Sequence, residues 1–290
     1  MGLSEVLQLP NILSMIMGKT FGEIRDILMK HGSEYYAKNP QETETIRQNL
    51  ASFGLPSDMD LVKRVQEHLI YHYVEKIFPL SGTPEQFADF IDKRMDLSQA
   101  NDLLSNALQK GSVLLATAHF GAVEYVATAL SHFKFTVNSV LKFTTQNLSD
   151  KIQGYAKTMT GGGLFTPINF IEIGKPGSHG AFRMARALDR KEILYTVFDE
   201  ETAHSKPVKL FNRKVLGGAG LDRLLKFAHG DVTIFNSFMI REGENFKLQL
   251  MPVDITAEDI PQQMFNNLQS MLEKHLEQWY FLHEEIPFTD

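Results

Sequence analysis

The ten residues Ser-Val-Leu-Leu-Ala-Thr-Ala-His-Phe-Gly from Ser112 to Gly121 constrain the fold more than any other stretch of the chain. Ser112 to Ala118 is a short, uncharged, largely apolar run, which fits a strand buried in a sheet. The run ends in Ala118-His119, so the strand delivers an imidazole to a sheet edge, and α/β folds place their ligands at strand carboxyl ends. A helix-like stretch from Val123 to Phe133 follows.

Further strands are expected at Thr136–Leu141, Glu192–Phe198, Val208–Leu210, Val232–Ile240 and Lys247–Met251. Helical patterns fall at Ser149–Met159, Gly180–Asp189, Gly220–His229 and Asp259–Tyr280. Strands alternating with helices predict an α/β fold with a mixed, mostly parallel sheet flanked by helices on both faces. The first hundred residues read differently. Leu61, Val62, Val65, Leu69, Ile70, Tyr73, Val74 and Ile77 recur at helical spacing, and Pro10, Gly18, Pro40, Gly54-Leu55-Pro56 and Pro79 divide the region into short helices. The expected organisation is a helical N-terminal subdomain over residues 1–100 and an α/β catalytic domain over 101–290.

Composition narrows the function. The 290 residues carry 29 basic and 35 acidic side chains, a formal charge of −6. No block of five or more Lys/Arg occurs, so a nucleic-acid partner is not expected. There is no cysteine, which removes disulfides, thiolate metal sites and a cysteine nucleophile together. Neither a signal peptide nor a run of about 18 apolar residues is read, so a cytoplasmic location is expected. Leu9 to Phe21, rich in Ile, Leu and Met, reads as a core-packing helix, with a peripheral contact at the inner face of a membrane or a substrate lid as its alternatives.

His119 and Glu124 are the candidate catalytic pair. Five residues apart, they meet only if His119 lies in a strand-to-helix turn and Glu124 in the first helical turn, and Gly121 lets the backbone bend there. A carboxylate beside an imidazole raises its basicity and fixes its tautomer, which suits it to take a proton from an attacking hydroxyl or amine.

At Thr117-Ala118-His119-Phe120-Gly121-Ala122-Val123-Glu124 the sequence resembles the H-x4-D/E segment of the lysophospholipid acyltransferase superfamily. The resemblance is to the branch of late acyltransferases of lipid A biosynthesis and phosphatidylinositol mannoside acylation. Further ordered blocks carry it: Ile46-Arg47-Gln48-Asn49-Leu50, the helix from Val65 to Phe78, and Val197-Phe198-Asp199. Phe211 with Gly217-Gly218-Ala219-Gly220, and Glu277-Gln278-Trp279-Tyr280-Phe281-Leu282-His283, complete the set.

The resemblance implies a glycerolipid acyltransferase-like fold and direct transfer of a fatty acyl group from a thioester of acyl carrier protein or coenzyme A. It implies no cofactor and no metal. His119 would be the base and Glu124 its partner, with Phe120, Gly121, Lys142, Asp199, Phe211 and Gly218 around the substrates. Lys142 stands where family members carry an arginine, and offers a point charge instead of a bidentate fork. Three departures from the membrane-bound relatives, the lack of an N-terminal transmembrane anchor, His283-Glu284-Glu285 in place of a basic ending and the acidic overall charge, favour a soluble or carrier-bound acceptor, such as an intermediate of a specialised lipid or natural-product pathway, over lipid A. A thioesterase-like hydrolase using the same pair, and a non-catalytic acyl-chain-binding protein, are the alternatives.

Other clusters read as structural. His68 and His72, spaced i, i+4 near Glu67 and Glu75, suit a tyrosine-rich packing face better than a metal. Asp199-Glu200-Glu201 with His204 reads as a solvated loop at the site's rim, because consecutive acids cannot all face one ion. Gly161-Gly162-Gly163 reads as a mobile loop, and Trp279 as a buried core residue with its N–H paired.

Overall fold

The computed structural model describes residues 2–142, 154, 159, 162–174, 179–218, 220–226, 231–286 and 288–289. The helix expected at Ser149–Met159 and the residue Gly161 of the glycine loop lie outside the described residues, save for Gly154 and Met159.

Six helices come first: α1 (Leu3–Leu7), α2 (Pro10–Ile16), α3 (Phe21–Lys38), α4 (Pro40–Ser52), α5 (Met59–Ser81) and α6 (Pro84–Arg94). Their starts follow from capping chemistry. Thr20 and Glu23 form a reciprocal capping box on α3, Asp58 accepts the Leu61 N–H at 3.0 Å on α5, and Thr83 with Gln86 repeats the box on α6. Pro10, Pro40 and Pro84 each open a helix, where a missing N–H costs nothing. Pro79 departs from expectation. Helix α5 runs past it to Ser81, so this proline sits in a final turn and does not end the helix before it.

A two-residue strand, β1 (Met95–Asp96), and helix α7 (Ser98–Lys110) lead into β2 (Ser112–Gly121). After it come a 3-10 turn at Val123–Tyr125, α8 (Val126–His132), β3 (Val137–Leu141), β4 (Ile168–Glu172), α9 (Gly180–Asp189) and β5 (Ile193–Val197). The chain continues through the hairpin β6 (Lys206–Leu210) and β7 (Arg213–Gly217), α10 (Leu221–Leu225), β8 (Val232–Glu242) and β9 (Asn245–Val253). Helix α11 (Ile260–His275), two 3-10 turns at Leu276–Gln278 and Tyr280–His283, and β10 (Phe288–Thr289) complete it.

The main sheet has the order β1-β9-β8-β2-β5-β3-β4. Every pairing in it is parallel except β8 with β9. The fold is therefore α/β with a mostly parallel mixed sheet and a helical N-terminal region, as the alternation of patterns predicts. Strand β2 lies in the middle, and every residue from Ser112 to Ala118 is buried, which explains why its sequence is apolar without alternation. Helix α7 packs on β2 and β9, α8 on β3 and β4, and α9 across β2 to β5. A second, antiparallel sheet, β10-β7-β6, is backed by α11.

Each expected strand is present, within a few residues. β1, β4, β7 and β10 fall outside the expected strands. β1 and β10 are two residues each, too short for a pattern, and β7 (Arg-Lys-Val-Leu-Gly) has only one strongly buried apolar residue, Val215; β4 (Ile-Asn-Phe-Ile-Glu) is a half-exposed edge strand in which Asn169 and Glu172 interrupt the apolar residues.

Candidate active site

Parallel register builds the centre of the site. Thr117 on β2 is paired with Val197 on β5, so two residues further along both strands His119 and Asp199 stand opposite each other at the carboxyl edge. The other neighbour bends β2. Thr117 pairs with Ser237 of β8 but Gly121 pairs with Met239, four steps on one strand against two on the other. This bulge lifts Ala118 to Phe120 out of strict pairing, a device common beside active sites. Gly121 closes it with φ +57°, and a Cβ there would lie 2.0 Å from the Met239 carbonyl oxygen. Only glycine fits.

His119 is held at both ends of its ring. Asp199 Oδ1 is 2.9 Å from Nδ1, and Oδ2 of the same carboxylate accepts the His119 backbone N–H at 2.8 Å. Glu200 Oε1 lies 3.4 Å from Nε2. The Asp199 side chain is wholly buried, while the imidazole keeps 19% of its surface exposed, enough for a reactant to reach it. Burial pulls the imidazole pKa down, but the charge and hydrogen bond of Asp199, with Glu200 and Glu124 adding to them, outweigh burial and hold it above its ordinary value. The Phe281 ring packs edge-on against the imidazole at 4.9 Å.

Glu124 is not the carboxylate bonded to His119, contrary to the sequence expectation. The strand-to-helix turn forms as the sequence requires, but the 3-10 turn at Val123–Tyr125 directs Glu124 toward α5. There its Oε1 is 3.3 Å from Lys76 Nζ and 3.7 Å from His72 Nε2. It reaches His119 only as a nearby charge. Asp199 takes the orienting place because a neighbouring strand in register sets it opposite the ring.

The remaining candidates divide. Phe120 is buried, bridged by backbone to Trp279 and packed edge-on against Phe238 at 5.6 Å. Gly218, at φ +86°, donates its N–H to the Phe198 carbonyl at 2.8 Å and so steadies the segment that carries Asp199. Lys142 is exposed just past the end of β3. Since Ser139 pairs with Tyr195, it is level with Phe198 and two strands from β2, about 10 Å across the sheet. Phe211 is not brought to His119. It forms the tip of the β6–β7 hairpin, donates its N–H to Gln269 and packs against Phe53 at 6.0 Å.

Behind the site, Arg241 of β8 is buried with its Nε 2.7 Å from Glu75 Oε1, and its guanidinium meets the His68 ring nitrogen. Burial pushes Glu75 up to about 7 against the pull of Arg241. Burial, aided by Arg241, pushes His68 down to about 3, and burial holds His72 well below its usual range. Both histidines are therefore packed and engaged with protein partners, as the packing reading of α5 expects.

Residues 9–286 match the family model described as bacterial lipid A biosynthesis acyltransferase. The chain belongs to that family. No curated protein matches it. Membership makes the protein an acyltransferase of lipid biosynthesis, working with an acyl donor and a lipid acceptor. The family match takes in the blocks on which the resemblance rested, and the structure gives several of them work. Asn49 of the Arg-Gln-Asn-Leu segment donates its amide N–H to the carbonyls of Leu282 and Glu284 at 3.0 and 2.8 Å. The C-terminal segment of this acyltransferase thereby docks on α4, with Trp279 and Phe281 beside Asp199 and His119. Among the described residues, no helix is long and apolar enough to cross a membrane.

Proposed function

We propose that the enzyme moves a fatty acyl group from a thioester of acyl carrier protein or coenzyme A to a hydroxyl or amine of its lipid acceptor, with His119 as general base. The observation that carries this reading is the Nδ1–Asp199 bond. It fixes the imidazole with a proton on Nδ1 and leaves Nε2 to accept one, with the half-exposed Glu200 3.4 Å from that nitrogen.

In the transfer, the acceptor oxygen or nitrogen attacks the thioester carbonyl carbon as its proton passes to Nε2. The tetrahedral intermediate collapses with cleavage of the C–S bond, and the thiolate leaves and recovers the proton from His119. Asp199 stabilises the imidazolium formed in between, a role it fills without itself becoming protonated. Glu124 adds a nearby negative charge without bonding to the ring, and anchors Lys76. The oxyanion needs donors or a cation at the same edge, and Lys142, just past the end of β3, and Lys76, which meets Glu124, are the candidates for that role. The mechanism uses no metal and no acyl-enzyme.

The test is transfer assayed with both donors. His119→Ala should keep the fold and lose activity by a factor of about 10² to 10⁴, the usual contribution of a positioned base. An active His119→Ala variant would sink the reading.

A further inference from the structure

Trp279 is the one tryptophan in the chain, and its indole N–H donates to Asp199 Oδ2 at 3.2 Å. Both partners are buried. A tryptophan that only fills a core can give its N–H to any carbonyl. This one gives it to the carboxylate oxygen that already receives the His119 backbone N–H. Two donors on Oδ2 fix the plane of the carboxylate and leave Oδ1 aimed at Nδ1 of the imidazole.

The indole is itself held from several sides. Its ring packs against Phe53 at 5.8 Å and Phe281 at 6.3 Å, and its backbone bridges Phe120, the residue after His119. Gln278 accepts the Arg241 backbone N–H and donates to the Arg241 carbonyl, each at 2.9 Å, so its amide continues the edge of β8 as a strand would. Arg241 is pinned in turn by Glu75 of α5. Charge-assisted bonds are roughly twice as strong as neutral ones and directional, and a reacting constellation needs its members held to about 10–20°.

We propose that Trp279 is a positioning residue of acyl transfer, acting through Asp199 to set the angle at which the carboxylate meets His119. The proposal rests on the reading of His119 as the base. It turns the tail segment from packing into part of the machinery.

The experiment uses the full-length protein labelled with ¹⁵N, in which the indole N–H gives a single resonance. That resonance should move with pH at the midpoint shown by the His119 ring protons, and His119→Ala should abolish the movement. Trp279→Phe should lower kcat at least tenfold while KM stays within twofold. It should also displace the acid limb of the pH profile, which loss of packing alone would not do. An indole resonance that stays still through the His119 midpoint overturns the proposal, and so does a Trp279→Phe enzyme with kcat within twofold of the parent. The wild-type titration needs neither a variant nor turnover. If the protein transfers no acyl group, the base assignment fails by itself, and the indole titration still decides whether Trp279 senses the pair.

Discussion

Asp199 grips His119 twice, through Oδ1 to the ring nitrogen at 2.9 Å and through Oδ2 to the backbone N–H at 2.8 Å. A carboxylate that holds both the ring and the main chain of one residue sets the tautomer and the position of the imidazole together. Asp199→Asn keeps the size but offers an amide that can present N–H to Nδ1 and favour the wrong tautomer. Its kcat should fall by about 10² or more, with KM little changed. Steady-state kinetics with saturating donor check this.

Glu124→Gln should cost less activity than Asp199→Asn. Its carboxylate meets Lys76 and His72, not the His119 ring. Side-by-side kcat/KM values decide the order, and equal losses would return Glu124 to the direct role that the sequence spacing suggests.

The pH behaviour follows from the direction of the His119 shift. The group sits above its ordinary value of 6.5 in the folded protein, so the pairing contributes stability that is complete below pH 6.5 and is lost as the pH rises through the folded value. Activity runs the other way, because the base must be neutral at Nε2. The acid limb of kcat/KM should lie above pH 6.5, and Glu200→Gln, which removes one of the raising charges, should move it toward lower pH. A pH–rate series on both proteins is the measurement.

Glu75→Ala should destabilise the fold by about 3–5 kcal/mol, the usual penalty for leaving a buried charge alone. Arg241 would lose the carboxylate that lies 2.7 Å from its Nε. Replacing both residues with apolar ones of similar volume should recover most of the loss. Denaturant unfolding of the single and double variants reads this directly.

Gly121→Ala should fail at the backbone. The residue would be held at φ +57° with its Cβ 2.0 Å from the Met239 oxygen, and left-handed backbone alone costs a side chain about 1–2 kcal/mol. The bulge would have to open, displacing His119, so activity should fall further than stability. Activity compared with melting temperature separates the two.

Much of this architecture is legible in the chain, because its signals are local. The apolar run before His119, the prolines at Pro10 and Pro40 that open helices, and the glycine at the bend all act within a few residues. The pairing of His119 with Asp199 is not local. It depends on the register of two parallel strands eighty residues apart, and a sequence marks the existence of such strands without marking their offset. Asp199 was therefore visible as the end of a strand but not as the partner. The misplaced Glu124 is the same failure from the other side, since nearness along the chain stood in for nearness across the sheet. Trp279 gave a correct burial but no hint of its acceptor, because an indole reads the same whichever oxygen it meets.

The spacing of these groups also sets an order of assembly. Asp199 is synthesised eighty residues after His119, and Trp279 eighty residues after Asp199. A ribosome that has made both members of the pair has still not made the indole that squares them, nor the carbonyls of Leu282 and Glu284 that Asn49 of α4 waits to receive. The emerging chain thus carries the imidazole and its carboxylate partner long before the indole and the Asn49 contacts are there to hold them, and the sheet can form around a pair that is not yet aligned.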